Sequence, residues 1–309
     1  MAEILRVDRI ESQADHAAFT DLTLVEGELL LTFREGRSHV SSDGTIRVLR
    51  SADGRRWRSA ANLTIAGRDL RDADVTPLGD GRFALLAGCC ERTEDGGRTR
   101  RGTGTVVSFS DTGERWSKPV VATPEGRWLW RAERMGDELF GFAYGGRNSE
   151  DGTVLDFCRS SDGQRWETSI ADVLVDGSPS EAVLRCAPDG SALALVRRDA
   201  PDSPAMLGTS TAPFRRWQWR ALDRVLHCPN LMRVEDRWIV AGRGLDPDAH
   251  VALYALDPKE PRLEEILRFE SSGDCGYPGL VWHDERAWVS FYSSHHERTA
   301  VYLAQVRLS

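Results

Sequence analysis

The segment Arg50–Trp57 reads RSADGRRW, and almost the same segment returns at Arg159–Trp166 as RSSDGQRW. Looser copies are FSDTGERW at 109–116, where the glycine comes one residue later, and TSTAPFRRW at 209–217, which has lost the aspartate and glycine. In such a turn the aspartate hydrogen-bonds the backbone, the glycine accepts a positive φ, and the tryptophan packs beneath the loop. We therefore interpret each copy as the turn of a β-hairpin, with structural rather than catalytic residues.

Short β-patterned runs surround these turns along the whole chain. One series follows Gly- or Asp-marked turns and comprises ELLLTF, RFALLAG, ELFGFAYG, SALALVRR, RWIVAGR and RAWVSFY. A second series precedes it and comprises FTDLTL, RDADVTPL, RWLWRAERM, SEAVLRCA, HCPNLMRV and GYPGLVW. Such runs are typical of strands, and their pairs recur in six units of roughly fifty residues. Because no convincing amphipathic helix is present, we predict an all-β, six-bladed β-propeller of four-stranded antiparallel blades.

The units are predicted to form one domain that spans residues 1–309. The first residues, AEILRV, have strand character but no unit of their own. We expect this N-terminal strand to pair with the last blade, after AVYLAQVRL, and to close the ring so that no sheet edge stays open.

Composition narrows the class of protein and its partners. The 309 residues are 40% hydrophobic and 28% charged, with a net charge of −8 that argues against nucleic acid as a ligand. There is no apolar run long enough for a membrane span, and the start MAEILRVDRI carries charges where a signal peptide is apolar. We therefore expect a cytoplasmic protein without a membrane partner. The six scattered cysteines contain no CxxC pair, which favours reduced, mostly buried thiols over a disulfide or zinc framework. We expect neither a metal nor a cofactor.

Polar residues on the first strands, and at the ends of the second strands, can converge at one mouth of a propeller's channel. Charged groups on inner strands are costly unless they are paired or used, and arginine forks bind carboxylates with two bonds. An anionic or polyhydroxylated ligand is one interpretation, and a set of salt bridges between blades is the other. By blade, the residues are Asp21, Arg34 and His39; Arg71 and Asp72; Arg131 and Tyr144; Glu181, Arg197 and Arg198; Asn230 and Arg243; Asp274, Tyr277, His295 and His296.

The repeated turns resemble the Asp boxes, or BNR repeats, of the sialidase (neuraminidase) superfamily, and the six units match the blade count of its exo-sialidases. The resemblance covers nearly the whole chain and extends to the order of channel residues. Glu181 in PSEAVL, Arg197 in LVRRD and Arg243 in VAGRG match a Glu and two Arg of that superfamily. Tyr277 in GYPGL matches its blade-six Tyr, with Pro278 in place of a serine.

The resemblance implies retaining glycoside hydrolysis in which a tyrosine is the nucleophile. Tyr277 would attack the sugar and Glu181 would be its base, because a phenol needs a base to react at neutral pH. Arg34, Arg197 and Arg243 would bind the anionic group of the substrate. The remaining candidate substrate-binding residues are Asp21, Arg71, Asp72, Arg131, Tyr144, Asn230 and His295.

The sequence departs from the superfamily pattern in blade one. Sialidases carry an arginine on that first strand, whereas AFTDLTL offers Asp21, so Arg34 in FREG is the candidate replacement. The acid/base aspartate of the family lies in the loop before the first Asp box, which here reads EGRSHVSSDGTIRV. Asp43 in SSDG is therefore a candidate proton donor, although a hairpin turn explains it equally well. His39 is the other candidate, since imidazole titrates near neutral pH.

These patterns favour a sialidase-like exo-glycosidase that removes a terminal, preferably acidic, sugar from a small glycoside or an oligosaccharide. Two alternatives stay open: a non-catalytic carbohydrate-binding propeller, and a sugar lyase or epimerase that uses the same rim. The sequence assigns neither the sugar, the linkage nor the oligomeric state.

Overall fold

The computed structural model describes residues 2–91, 103–146 and 152–308, and all 24 regular elements in these segments are β-strands. The strands form six antiparallel sheets of four strands each. Within the described segments, no helix has the length and apolar composition that spanning a bilayer would need. The predicted all-β, six-bladed propeller is confirmed.

The first five blades each contain four strands in chain order from the channel outward. Blade one contains β2 (His16–Val25), β3 (Glu28–Gly36), β4 (Thr45–Ser51) and β5 (Arg58–Leu63), and blade two contains β6 (Arg68–Pro77), β7 (Phe83–Glu91), β8 (Gly104–Ser110) and β9 (Val120–Val121). Blade three contains β10 (Trp128–Met135), β11 (Glu138–Gly145), β12 (Val154–Ser160) and β13 (Glu167–Leu174). Blade four contains β14 (Pro179–Cys186), β15 (Ser191–Arg198), β16 (Met206–Thr211) and β17 (Gln218–Ala221). Blade five contains β18 (His227–Val234), β19 (Arg237–Gly244), β20 (His250–Asp257) and β21 (Arg262–Arg268).

Blade six is completed by the N-terminal strand. Its sheet has the order β22 (Gly276–His283), β23 (Arg286–Ser293), β24 (Ala300–Leu308) and β1 (Ala2–Ile10). β1 runs antiparallel to β24, with Ala2 opposite Leu308 and Ile10 opposite Val301. The two ends of the described chain thus lie in one sheet, and the first strands contact one another in sequence around a closed ring.

The repeated turns are hairpin turns, as predicted, and they lie between the third and fourth strands of their blades. Ser51 Oγ accepts a hydrogen bond from Gly54 N at 2.9 Å, and Asp53 Oδ1 accepts bonds from the next two backbone amides at 2.8 Å each. Ser160 and Asp162 make the same three bonds at the same distances. Gly54 has a φ of +65°, which side chains with a Cβ rarely adopt. The polar side chains of these turns therefore bind their own loops.

The hydrophobic core is divided among the contacts between blades. Leu253 of β20, for example, belongs to the same buried cluster as Val289 and Phe291 of β23, so the faces of blades five and six pack together. Burying each such side chain contributes about 1.5–3 kcal/mol. This packing makes the ring a rigid support for the loops at its two mouths.

A β-bulge recurs on the first strand of every blade. The register with the second strand shifts between residues 18 and 21, 71 and 74, 129 and 132, 179 and 182, 227 and 230, and 276 and 279. Four bulge residues have positive φ although they are not glycines, namely Phe19 (57°), Asp72 (54°), Cys228 (41°) and Tyr277 (48°). A bulge changes the direction in which a side chain points, so one side chain of each of these strands departs from the regular alternation of its sheet.

The six cysteines are unpaired thiols, and five of them are buried. Only Cys186 is partly exposed. The prediction of reduced, mostly buried thiols is confirmed. Burial raises the pKa of the Cys228 thiol to about 11, so this channel residue is uncharged at neutral pH.

Candidate active site

The candidate site lies at the mouth where the first strands begin. Side chains and backbone near the N-terminal ends of β14, β18 and β22 hydrogen-bond one another there, so these ends of the first strands meet. Tyr277 is the second residue of β22 and Glu181 the third of β14. Both are nearly buried, with 8% and 4% of their surface exposed.

Tyr277 and Glu181 form one hydrogen-bonded pair across 96 positions of sequence. The Tyr277 hydroxyl donates a short bond to Glu181 Oε1. Glu181 Oε2 accepts one bond from Arg197 Nη1 at 3.0 Å and another from Cys228 N at 2.9 Å. Three donors from three blades therefore hold the carboxylate beside the phenol.

The pair rests as a neutral phenol and an ionised carboxylate. Burial raises the pKa of Tyr277 well above its usual value, and the charges of Asp72 and Glu181 add to this effect. Burial also acts to raise the pKa of Glu181, but the Arg197 guanidinium and the bond from Tyr277 outweigh it, so this pKa lies below its usual value. Glu181 can therefore accept a proton, but the phenol will release it only as its oxygen bonds to another atom.

Two arginines flank Glu181 on the side of blades four and five. Arg197 Nε lies 2.7 Å from Asp199 Oδ1, in addition to its bond with Glu181. Arg243 Nη2 lies 2.9 Å from His227 Nδ1. Burial and the two arginines lower the pKa of His227 to about 4, so its ring is neutral and accepts the bond from Arg243. The site thus has two fixed cations on one wall.

On the opposite side, Asp274 holds two histidines and a tyrosine. Its Oδ2 accepts bonds from His16 Nε2 at 2.9 Å and His39 Nδ1 at 2.7 Å, and its Oδ1 accepts one from the Tyr292 hydroxyl at 2.8 Å. Burial acts to raise the pKa of Asp274, but the histidine bonds outweigh it and hold this pKa well below its usual range. The His39 side chain is 47% exposed, so it presents an oriented imidazole at the mouth.

An aromatic contact joins this cluster to the nucleophile candidate. The Phe19 ring lies 5.0 Å from the His39 ring and 4.9 Å from the Tyr277 ring, centroid to centroid. The Arg71 guanidinium lies 4.2 Å above Phe19, and Arg71 Nε is 3.7 Å from Asp72 Oδ1. Arg71 and Asp72 thus belong to the Tyr277 mouth, where the sequence predicts them.

His16, His39 and Asp274 also carry donor atoms that lie within 4.8 Å of one another, as in a metal site. Their nitrogen–oxygen distances are those of direct hydrogen bonds. His16 Nδ1 is buried and has no hydrogen-bond partner among the described residues, whereas metal-bound histidines donate this second N–H to an acceptor. The residues present therefore fit a hydrogen-bonded cluster better than a metal centre.

The prediction that Arg34 binds substrate is wrong. Its side chain is fully buried and donates to Asp69 Oδ1 at 2.7 Å, to Ser38 O at 2.9 Å and to Ser41 Oγ at 2.8 Å. Because these partners take its donors, Arg34 anchors the following loop and leaves no fork for a ligand.

Asp21 and Arg131 are also structural rather than substrate-binding. Arg131 Nη1 lies 2.5 Å from Asp21 Oδ1 and 3.1 Å from Asp74 Oδ1, and all three side chains are buried. The ion pairs join blades one, two and three inside the channel. Burial raises the pKa of Asp21 to about 6 in spite of its arginine partner.

Asn230 is likewise used by the fold and does not face the mouth. It is 1% exposed, its amide nitrogen donates to Pro278 O at 2.9 Å, and its amide oxygen accepts from Leu231 N at 2.8 Å. His295 is also misassigned by the sequence. Its ring turns toward Tyr302 on the third strand of blade six, at 4.9 Å.

Asp43 does not fit the role of proton donor. Its Oδ2 accepts a bond from Arg37 Nε at 2.9 Å within the same loop. Burial acts to raise the pKa of Asp43, but hydrogen bonds from Ser41 and Arg37 outweigh it. An aspartate with a lowered pKa is ionised at neutral pH and has no proton to donate.

Tyr144 remains at the mouth of blade three, where its ring stacks on Trp128 with centroids 6.3 Å apart.

Sequence reasoning missed His16, Phe19, His227 and Tyr292 as residues of this mouth, and it named Asp274 without a role. The available signal was positional. Phe19 occupies the same bulge position in blade one as Tyr277 does in blade six, so an alignment of the six first strands would have brought both forward.

Comparisons with known proteins agree on the fold. No family model matches the chain, and no curated protein does. A Dyadobacter fermentans protein of unknown function is similar with a TM-score of 0.86, 18% identity and coverage of 100% of this chain and 99% of that one. Trypanosoma rangeli sialidase, in complex with 2,3-difluorosialic acid as a covalent intermediate, gives a TM-score of 0.73 and 14% identity. Penicillium chrysogenum α-L-arabinanase complexed with arabinobiose gives 0.71 and 14% identity, with 98% of each chain covered.

The sialidase match covers 99% of this chain but only 59% of the trypanosome chain. Likeness at these identities concerns the fold. The chain therefore has a sialidase-like six-bladed β-propeller, a fold that it shares with glycosidases such as the trypanosome sialidase and the arabinanase.

Proposed function

We propose that this protein is a retaining exo-glycosidase that uses Tyr277 as nucleophile and Glu181 as its base. The observation that carries the proposal is the hydrogen bond between these two residues, which the fold brings together from blades six and four. A neutral phenol can approach an anomeric carbon beside a carboxylate without like-charge repulsion. The glycosidase neighbours support sugar hydrolysis on this fold, and the resemblance of Tyr277 and Glu181 to the sialidase pattern supports a tyrosine nucleophile.

In the first half-reaction, Tyr277 Oη forms a bond to the anomeric carbon while the bond from this carbon to the leaving oxygen breaks. The phenol proton passes to Glu181 Oε1, and a second proton is donated to the leaving oxygen. In the second half-reaction, water attacks the same carbon and Glu181 returns its proton to Tyr277. Two inversions at one carbon give net retention.

His39 is the proton donor in this proposal. Its Nδ1–H donates to Asp274, which fixes the ring, so the proton for the leaving oxygen comes from Nε2–H of the imidazolium form. Asp274 is a positioning residue, and Tyr292 and His16 hold it in turn. In the second half-reaction, the His39 imidazole takes a proton from the attacking water, so the histidine regains its starting state.

Arg197 and Arg243 favour a terminal sugar that carries an acidic group. Both lie beside Glu181, and arginine forks suit carboxylates. Arg34 does not contribute because Asp69 neutralises it.

The burial of Arg34 against Asp69 supports a second candidate substrate, a terminal neutral sugar. Without Arg34, two of the remaining cations of the mouth already pair with carboxylates: Arg197 Nε lies 2.7 Å from Asp199 Oδ1, and Arg71 Nε lies 3.7 Å from Asp72 Oδ1. A site with balanced charge has less use for an anionic ligand.

A panel of 4-nitrophenyl glycosides tests the proposal and separates the two substrates. It includes sialic acid, glucuronic acid, arabinose and galactose in both anomeric forms, with the product anomer followed by NMR. We expect one sugar to be released with retention, and Tyr277→Phe to bind it without turnover. Tyr302→Phe is the control, since Tyr302 is a buried tyrosine of blade six outside the mouth. Sugar binding without turnover across the panel would favour a non-catalytic propeller, and an unsaturated product would favour a lyase.

A further inference from the structure

The backbone of Tyr277 is held by neighbouring blades rather than by the ladder of its own sheet. The register between β22 and β23 shifts between Gly276 and Gly279, so Tyr277 lies in the bulge, outside the row of paired residues. Its φ of 48° falls in the left-handed region, which residues other than glycine keep only where surrounding contacts enforce it. The place of the candidate nucleophile therefore depends on bonds that other blades supply.

Cys228 of blade five binds the amide of Tyr277. Its Sγ accepts a hydrogen bond from Tyr277 N at 3.2 Å, and its side chain is fully buried. A Cβ at position 276 would come within 2.7 Å of this sulfur, so Gly276 allows the two strands to approach this closely. Both blades are therefore built for the contact.

Cys228 also holds the candidate base. Its backbone N donates to Glu181 Oε2 at 2.9 Å. Cys228 lies in the bulge of β18, with a φ of 41°, so its amide does not belong to the ladder and is available to the carboxylate. One residue thus contacts the nucleophile with its side chain and the base with its backbone.

Thr20 of blade one binds the carbonyl of Tyr277. Its hydroxyl donates to Tyr277 O at 2.6 Å and accepts a bond from Ser290 Oγ at 3.0 Å. Ser290 Oγ in turn accepts a bond from Gly279 N at 3.2 Å. Thr20 and Ser290 are both buried, so the Tyr277 carbonyl would be left unsatisfied if the hydroxyl of Thr20 were removed.

We propose that Cys228 and Thr20 are positioning residues that hold the backbone of Tyr277 in its reactive place. The two side chains form a clamp, with Cys228 Sγ on the amide and Thr20 Oγ1 on the carbonyl. The inference rests on the proposed function and adds to it the residues that place the nucleophile against its base. Such placement matters because a displacement of about 1 Å can lower a rate by about 10²-fold.

Pairs of variants separate the hydrogen bonds of the clamp from its packing. Cys228→Ser keeps an acceptor for Tyr277 N and Cys228→Ala removes it, while both make the side chain smaller. Thr20→Ser keeps the hydroxyl, and Thr20→Val replaces it with a methyl group of similar size. The backbone bond from Cys228 N to Glu181 is present in all four variants.

The kinetic test uses the aryl glycoside that the wild type hydrolyses. We expect Cys228→Ala and Thr20→Val to lower kcat about 10–100-fold, because the phenol is no longer held in line with the anomeric carbon. KM should change by less than about threefold, since the clamp side chains are buried beneath the mouth and do not reach a bound sugar. The serine variants should keep kcat within about threefold of the wild type.

The acid limb of kcat/KM is a readout that a merely structural role would not move. Burial acts to raise the pKa of Glu181, whereas the Arg197 guanidinium and the bond from Tyr277 lower it. A loosened phenol should therefore let this pKa rise. We expect the acid limb to move to higher pH in Cys228→Ala and Thr20→Val, and to stay in place in the serine variants.

Thr23→Val is the matched control for Thr20→Val. Thr23 lies three residues farther from the mouth on the same strand, and its hydroxyl donates to Val75 O of blade two at 3.1 Å. Cys158→Ala is the control for Cys228→Ala, since Cys158 is a buried cysteine on the third strand of blade three. Both controls should keep the kcat and the acid limb of the wild type.

The two positions of the clamp are measured separately, so either pair decides the question if a variant of the other fails to fold. Alanine and valine variants that match their serine partners in kcat and in the acid limb would overturn the inference, while hydrolysis by the wild type still supported the proposed function. A wild type that hydrolyses no glycoside would instead reject the proposed function and this inference with it.

Discussion

Replacing Glu181 with glutamine isolates the base from the rest of the site. Glutamine has the same shape, and its amide oxygen can still accept the bonds from Arg197 Nη1 and Cys228 N, now at 3.0 and 2.9 Å from the carboxylate. Its amide nitrogen then faces Tyr277 and cannot take the phenol proton. Loss of a general base lowers rates by about 10²–10⁴-fold. This corresponds to about 2.7–5.4 kcal/mol of transition-state stabilisation.

Glu181→Gln should also lower the stability of the fold, and this effect is separate from the loss of the base. The bond from Arg197 is no longer to a charged acceptor, but Arg197 keeps Asp199 at 2.7 Å, so we expect the free energy of unfolding to fall by no more than about 1.5–3 kcal/mol. Thermal unfolding measures the loss of stability, and kcat on the active aryl glycoside measures the loss of catalysis.

Glu133→Gln is the matched control for Glu181→Gln. Glu133 is also an inner-strand glutamate that accepts bonds from an arginine, Arg185 at 3.3 Å, and from a backbone amide, Cys186 N at 3.2 Å. It lies near the other end of the channel, since β10 ends two residues later. We expect a similar loss of stability with unchanged kcat. A Glu181→Gln enzyme with kcat within threefold of the control would refute the assignment of the base.

The other predictions concern proton donation, loop structure, stability and pH. His39→Gln should lower kcat about 10²-fold or more on a disaccharide but little on a dinitrophenyl glycoside, whose leaving group needs no proton. Asp43→Asn, the control, should leave both rates unchanged. Equal losses on both substrates for His39→Gln would contradict the role of His39 as proton donor. Arg34→Met removes the buried ion pair with Asp69 and should cost about 3–5 kcal/mol in urea unfolding, and a loss below 1 kcal/mol would count against the structural role. Because the folded-state pKa of Glu181 is lowered, the acid limb of kcat/KM should lie below pH 4.5. The stability that the ionised Glu181 contributes should be complete above that pH and be lost as the pH falls. An acid limb above pH 4.5 would contradict the lowered pKa.

The propeller was predictable from the sequence because its signals are local. A hairpin turn such as Ser51–Gly54 makes its bonds within three residues, and a strand shows its pattern in a single run. The sequence predicts Tyr277 and Glu181 as site residues because family resemblance fixes their order along the chain. Their contact itself depends on ring closure, which no local pattern reports.

The errors involve partners that are distant in sequence. The prediction that Arg34 binds substrate fails because its partner Asp69 stands 35 residues later, on the next blade. Arg131 was misassigned for the same reason, since Asp21 lies 110 residues away. Phe19 was missed for another reason: a bulge changes which way a residue points, and strict alternation along a strand cannot anticipate it.

Covalent trapping of the nucleophile tests the central claim most directly. A fluorinated glycosyl fluoride of the active sugar slows the second half-reaction, and T. rangeli sialidase forms such a covalent intermediate with 2,3-difluorosialic acid. We predict a mass increase of one fluorosugar on the intact protein, located by peptide mapping to Tyr277 and absent from Tyr277→Phe. A label on Glu181, or turnover with inversion and no label, would contradict the account.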